Sequence, residues 1–177
     1  MKLDMLLSGF GGQGLMSLGK FIAHLAQKEN KYTLWFPSYG AEVRGGTAHC
    51  FVKIYDEPIL SPLIEKADIG IILNQQSLDK FEKKIKKGGL LILNSNLVYR
   101  QPANKNIEIL SLPLNEIALT CGNIKVANVI VLGVLFEKIK LFKEETVIGL
   151  LKKTFNDKLI LKQNLEAFRK GKELLKY

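Results

Sequence analysis

The chain has 177 residues, 47% of them hydrophobic, and a formal net charge of +9. That length suits one domain, and that apolar content can build a core, which excludes a disordered chain. No apolar run reaches the roughly 18 residues of a membrane span, and Lys2 and Asp4 interrupt any signal-peptide core, so a cytoplasmic protein that does not cross a membrane is expected.

The elements follow in chain order. Residues 3–8, "LDMLLS", predict a buried strand that stops at glycines. Leu15, Leu18, Ile22, Leu25 and Ala26 have helical spacing, giving a helix over 15–27. Tyr32 to Phe36 is aromatic-rich and predicts a second strand. Ala48, Cys50, Val52 and Ile54 alternate, so 47–55 predicts a strand with one buried face. It follows its predecessor without a helix, so part of the sheet is expected to be antiparallel or mixed. "DEP" at 56–58 turns the chain, and 69–73 is an apolar strand of the kind covered on both faces. A helix is predicted over 77–86, closed by Gly88-Gly89, with strands over 90–93 and 107–112. A helix over 126–140, with a possible start at Asn123, and two more helices from Glu144, parted near Asn156-Asp157, complete the chain.

Strands alternating with helices predict an α/β fold, a Rossmann-like three-layer sandwich on a mostly parallel sheet. Residues 1–177 read as one domain with 141–177 as a helical extension. Residues 137–177 hold 11 basic and 6 acidic residues, which reads either as solvated helix faces or as a docking surface for an acidic protein or a phosphorylated cofactor. Nucleic acid is not expected as a partner, because no aromatic residues are interleaved with the lysines.

Two glycine-rich stretches carry the chemistry. "SGFGGQG" at 8–14 contains Gly9-x-Gly11-x-x-Gly14 between a strand and a helix. In that context Gly9 permits a tight turn, Gly11 lets a ligand or backbone approach, and Gly14 lets the helix pack on the strand. The free N–H groups at the helix start suit an anion such as phosphate. A dinucleotide fold wants an acid at the end of its second strand, yet none occurs from Asn30 to Gly40. A phosphate-bearing ligand of another kind or a structural turn therefore stays open. The match of 14–20 to a P-loop is accidental, since Phe21 replaces the Ser or Thr that would hold magnesium and the segment is helical.

The second stretch, "PSYGAEVRGGTAHC" at 37–50, offers Tyr39, Gly40, Glu42, Arg44, Gly45, Gly46 and Thr47. Arg44 is a planar fork for carboxylate or phosphate, which Glu42 can orient, and Tyr39 suits an interface. The plain alternative is a surface loop whose charges pair with each other. If the two preceding strands are parallel, both stretches lie on one edge of the sheet. Cys50 and Cys121 form no C-x-x-C pair, so neither a cluster nor a zinc site is expected on this chain. His24 and Trp35 read as packing residues, and His49 as a satisfied histidine close enough to Arg44 to join a site.

"GFGGQG" at 9–14 together with "SYGAEVRGGTAHC" at 38–50 resembles the gamma subunit of 2-oxoacid:ferredoxin oxidoreductases, and the resemblance continues through "ANVIVLGVL" at 127–135. It implies a largely non-catalytic subunit of a complex that oxidatively decarboxylates a 2-oxoacid with coenzyme A and reduces ferredoxin. Alpha, beta and delta subunits are the implied partners. Thiamine diphosphate, magnesium and iron–sulfur clusters are implied to sit on those partners, and no cofactor is implied to bind tightly here. Gly9, Gly11, Gly12, Gln13 and Gly14 match the first family motif, and Tyr39, Gly40, Glu42, Arg44, Gly45, Gly46 and Thr47 the second, so these are the residues implied for a coenzyme A or partner contact. The form of the second motif points first to 2-oxoglutarate as substrate. Without its partners the chain is expected to be able to self-associate. An autonomous NAD(P)- or flavin-binding oxidoreductase is the alternative.

Overall fold

The computed structural model describes residues 1–38 and 47–175. Six strands form one sheet in the order β2-β3-β1-β4-β5-β6. They are β1 (Lys2–Phe10), β2 (Tyr32–Ser38), β3 (Thr47–Tyr55), β4 (Ala67–Ile72), β5 (Ile85–Asn94) and β6 (Glu108–Leu112). β3 is antiparallel to both β1 and β2, while β1, β4, β5 and β6 are mutually parallel. Among the described strands β3 is therefore the reversed one, and the expectation of a mixed sheet holds at the place where no helix separates two strands.

Strand alternation divides the apolar residues between two cores. Met5 and Leu7 of β1, Val52 and Ile54 of β3, and Ile69 and Ile71 of β4 point to one side. There they meet α1 (Leu15–Lys28), α3 (Leu114–Thr120), α4 (Ala127–Ile139), α5 (Glu144–Thr154) and α6 (Lys158–Glu173). Leu6, Ile72, Leu91 and Leu93 point the other way, to a smaller core with Leu78 and Phe81 of α2 (Gln75–Phe81). The intervening positions of β4 and β5 are apolar on both faces because both faces of the central strands are covered.

The helix layer is held by close packing. α4 is apolar nearly all round and residues Val129–Leu135 are buried, as befits a helix with neighbours on several sides. Gly133 of α4 meets Gly171 of α6, where an added Cβ would sit 2.9 Å from the facing Cα. Phe136 and Phe168 stack edge to face at 5.4 Å beside this contact. The C-terminal helices thus share one core with the sheet: Val147, Leu151, Ala167 and Phe168 pack in the same cluster as β1 and β3. Among the described residues no helix is long and apolar enough to cross a membrane.

Three expectations are corrected. The predicted helix over 77–86 ends at Phe81, a short 3-10 turn covers Glu82–Lys84, and Gly88-Gly89 lies inside β5. The register with β4 slips between Ala67 and Ile69 to accommodate that stretch. Lysine spacing misled the reading here, since solvated lysines suit a twisted strand end as well as a helix. Second, α3 was not predicted. It is only 7 residues long, starts just after Pro113, and buries just Leu114 and Ala118, too few positions for a period. Third, α4 begins at Ala127, after a 3-10 turn whose cap is Asn123, with its side chain accepting from the Lys125 N–H.

Candidate functional site at the carboxyl edge of the sheet

β1, β2, β4 and β5 all end at one edge, and β3 begins there. The two glycine stretches meet that edge together: Phe10 lies opposite Thr47, and Ser38 opposite His49. Tyr39, Gly40, Glu42, Arg44, Gly45 and Gly46 lie outside the described residues. Thr47 opens β3 and is partly buried.

The first stretch is a turn, but its glycines divide the tasks differently from the sequence reading. Gly9 does not turn the chain. It is a strand residue paired with Ala48, and it is small because a Cβ would collide with the Gln13 amide and lie 2.6 Å from Leu15. The turn falls at Gly12 and Gly14, with φ of 92° and 73°. Both are in the left-handed region that glycine occupies without cost. Gly14 is the N-cap of α1, and what fits against it is the Asn128 side chain at the start of α4, not a strand. Asn128 Nδ2 donates to the Gly14 carbonyl at 3.2 Å, which ties α4 to the turn. Gly11 and Gly12 have open space where a Cβ would stand, and both are exposed. Gln13 is occupied internally: its Oε1 accepts from the Phe10 N–H at 2.6 Å, and its Nε2 faces the Leu73 carbonyl at 3.4 Å. No side chain caps the start of α1. What remains of the predicted anion site is thus an open, uncapped helix start beside two exposed glycines.

Polar groups continue along the edge on the α2 side. Ser8 Oγ lies 2.9 Å from Ser77 Oγ and 3.3 Å from the Ala48 carbonyl, joining β1, β3 and α2. Asn74, 1% exposed, caps α2 through the Ser77 N–H at 2.8 Å. Thr47 Oγ1, His49 Nδ1 and Asn74 Nδ2 are buried without a hydrogen-bond partner among the described residues. Buried polar atoms usually have one, so these three mark the edge as polar ground. Burial first, and then the charge of Lys80, hold the His49 imidazole below its usual pKa.

Sequence reasoning passed over the asparagines. Asn94 ends β5 and its Nδ2 donates to Asn115 at 3.0 Å, while Asn96 accepts from the Asn115 N–H at 2.9 Å and so holds the start of α3. The signal was present: "IILN" at 71–74 and "LILN" at 91–94 each end an apolar strand in asparagine at the same edge. Gln75 was missed as well. Its Oε1 accepts from the N–H groups of both Tyr99 and Arg100, 3.1 Å each. Arg100 then pairs with Asp79 at 2.7 Å and Glu82 at 3.1 Å. Burial raises the Glu82 carboxyl, but Arg100 and the Ala103 N–H outweigh it and hold the pKa low.

Among the described residues the edge carries no nucleophile with an adjacent base. The Cys50 thiol is buried, and desolvation pushes it up to about 12, so it is inert as a nucleophile. Among the described residues no group of three His, Cys, Asp or Glu could hold a metal ion. β2, Tyr32–Ser38, carries no acid for a ribose.

Residues 4–174 match the family model described as pyruvate ferredoxin/flavodoxin oxidoreductase. The chain is 35% identical over 169 residues to the ketoisovalerate oxidoreductase subunit VorA of Methanothermobacter thermautotrophicus, covering 94% of this chain but 35% of that protein. It is 34% identical over 184 residues to the 2-oxoglutarate synthase subunit KorC of Methanocaldococcus jannaschii, covering 99% of this chain and 95% of that one. The fold superposes with a TM-score of 0.89 and 26% identity on 2-oxoglutarate:ferredoxin oxidoreductase from Magnetococcus marinus, solved with 2-oxoglutarate, coenzyme A and succinyl-CoA bound, covering 99% of this chain and 31% of that one.

Proposed function

Because this chain belongs to the pyruvate ferredoxin/flavodoxin oxidoreductase family, we propose that it is the gamma subunit of a 2-oxoacid:ferredoxin oxidoreductase. The complex would convert a 2-oxoacid and coenzyme A to acyl-CoA and carbon dioxide and pass two electrons to ferredoxin. The observation that carries this reading is the family match across residues 4–174, shared with a KorC subunit of nearly the same length. Alpha, beta and delta subunits would complete the assembly.

Thiamine diphosphate supplies the decarboxylating chemistry in such a complex, and iron–sulfur clusters carry the electrons. Neither fits the described residues of this chain. Its two cysteines are buried, and no described cluster of acids or histidines could hold the metal that thiamine diphosphate needs. Coenzyme A fits better, because its phosphates want donors. The open α1 start beside Gly11 and Gly12, the Thr47 hydroxyl and the Asn74 amide are donors at one edge. Arg44 would add a charged contact from the adjoining stretch, oriented by Glu42. On this reading the chain's own task is to bind and orient the coenzyme, with Gln13 and Asn128 keeping the turn in shape.

The test is anaerobic co-purification with a tagged chain from its own host. Brown material that reduces a dye with coenzyme A and a 2-oxoacid is the expected result, and 2-oxoglutarate, 2-oxoisovalerate and pyruvate are tried in turn. 2-Oxoglutarate is the substrate we place first. A colourless chain without partners would overturn the assignment. In the active complex, Arg44→Ala and Thr47→Val should each raise the KM for coenzyme A more than that for the 2-oxoacid. Unchanged KM values in both would remove the carboxyl edge from the coenzyme site.

A further inference from the structure

The side of the sheet away from α1 is only half covered. α2 packs on β1 and β4, and residues around Val98 extend that cover over β5. Among the described residues no helix covers β2 on this side, and α2 reaches β3 through Phe81 against His49. Their side chains there are Tyr32, Leu34 and Phe36 from β2, with His49, Phe51, Lys53 and Tyr55 from β3 in register beside them. Phe36 is 49% exposed and Tyr32 51% exposed. The His49 ring lies 5.7 Å from Phe51 and 4.7 Å from Phe81 of α2, so an aromatic row runs from α2 to the edge strand. Residues 57–63 border the amino end of this face, where Pro58 and Leu60 form a hollow with Tyr32 and Leu34. Leu60 is 96% exposed and Leu63 77%. The charges at this face are paired: Lys53 is buried, 3.9 Å from Asp4 and 3.3 Å from the Tyr55 hydroxyl, and at the amino rim Lys2 meets Glu57 at 2.6 Å beside the Tyr55 ring.

We propose that this open face, with Phe36 at its centre and Leu60 at its rim, docks a larger subunit equivalent to the remainder of the VorA-type chain. The proposal rests on the gamma-subunit reading above. In the Methanothermobacter and Magnetococcus relatives the matching region is 35% and 31% of one polypeptide, so there the same fold has a permanent neighbour on the order of twice its size. Permanent neighbours meet through apolar surface depleted of charge, with aromatic anchors, which is the character of this face. A second copy of this chain is a poor occupant, because two chains of net charge +9 repel. The outer surface of the helix layer also exposes Leu159 and Ile160, but these sit on α6 between Lys158 and Lys162.

The experiment co-expresses the tagged chain with the host subunit homologous to the remainder of the VorA-type chain and measures the yield of captured partner. Phe36→Asp and Leu60→Asp test the face, and Leu159→Asp is the control on α6. The first two should each cut the captured subunit at least tenfold, with the isolated chain's Tm moved by less than about 3 °C, while the control captures as wild type does. Leu60 touches too little to affect folding, so its variant is decisive if Phe36→Asp misfolds. Wild-type capture that survives both substitutions would overturn the docking face and leave the gamma-subunit reading standing. Loss of capture in the Leu159 variant alone would move the interface to α6. A wild-type chain that captures no large subunit would overturn both readings, and one that dimerises through Phe36 with that subunit present would overturn the docking face alone.

Discussion

The α1 side of the sheet and the α2 side are made from the same strands, residue by alternate residue. On the first, Met5, Leu7, Val52 and Ile54 disappear under a layer of five helices. On the second, Leu6 and Ile72 are covered by one short helix, while Tyr32 and Phe36 stay half exposed. The first face has all the apolar cover a stable domain needs. The second retains half-exposed apolar surface, and a surface of that kind is what a partner protein uses. On the docking proposed above, stability and assembly are allotted to opposite faces of one sheet.

Breaking the covered face should cost most. Phe168→Ala removes a side chain buried between α4 and α6 and should lower stability by about 3–5 kcal/mol in urea or guanidinium unfolding. A loss below about 1 kcal/mol would mean the helix layer is not integral to the core. The glycine turn comes next. Gly14→Ala puts a Cβ at positive φ and against Asn128, and should cost about 1–3 kcal/mol. Gly11→Ala, which meets open space, should stay within about 0.5 kcal/mol. Equal effects would show that the turn is not held through Gly14.

The α2 side should report itself through pH. The Glu82 pKa is depressed below 4.5, so its contribution is fully present above about pH 4.5 and is lost as pH falls through the folded value. Arg100→Gln should weaken the chain at pH 7 and flatten the fall in Tm between pH 5 and 3, read by thermal melts. A variant with the wild-type acid slope would separate Arg100 from Glu82. The smallest effect belongs to His49. Its folded pKa lies below 6.5, so the unfolded chain takes up more protons between the two values, and stability declines as pH drops through that window. His49→Phe should remove that part of the slope, measurable as a smaller Tm difference between pH 7.5 and 5.5.

Much of this arrangement was legible from residue order. Helix α1 and strand β3 come straight from apolar spacing, and the missing helix before β3 correctly signalled a reversed strand. Periodicity failed where the element was too short to repeat, as in α3, or where solvated lysines suit helix and strand alike, as at 83–87. The candidate site was located but its parts were misassigned. A motif shows that Gly9 and Gly14 must be small, but not what crowds them, and the crowding groups are Gln13 and an asparagine 114 residues away. The open face was not foreseen, because alternation shows which residues share a side and says nothing about whether a helix will cover it.

The most direct test of the division between the faces is hydroxyl-radical footprinting of the chain alone and in the anaerobically purified assembly. Tyr32, Phe36 and Leu60 should be oxidised readily in the free chain and lose most of that reactivity in the assembly, while Leu159 on α6 changes little. Protection of Leu159 with Phe36 and Leu60 still reactive would contradict the account, placing the partner on the helix layer and leaving the open face without a role in assembly.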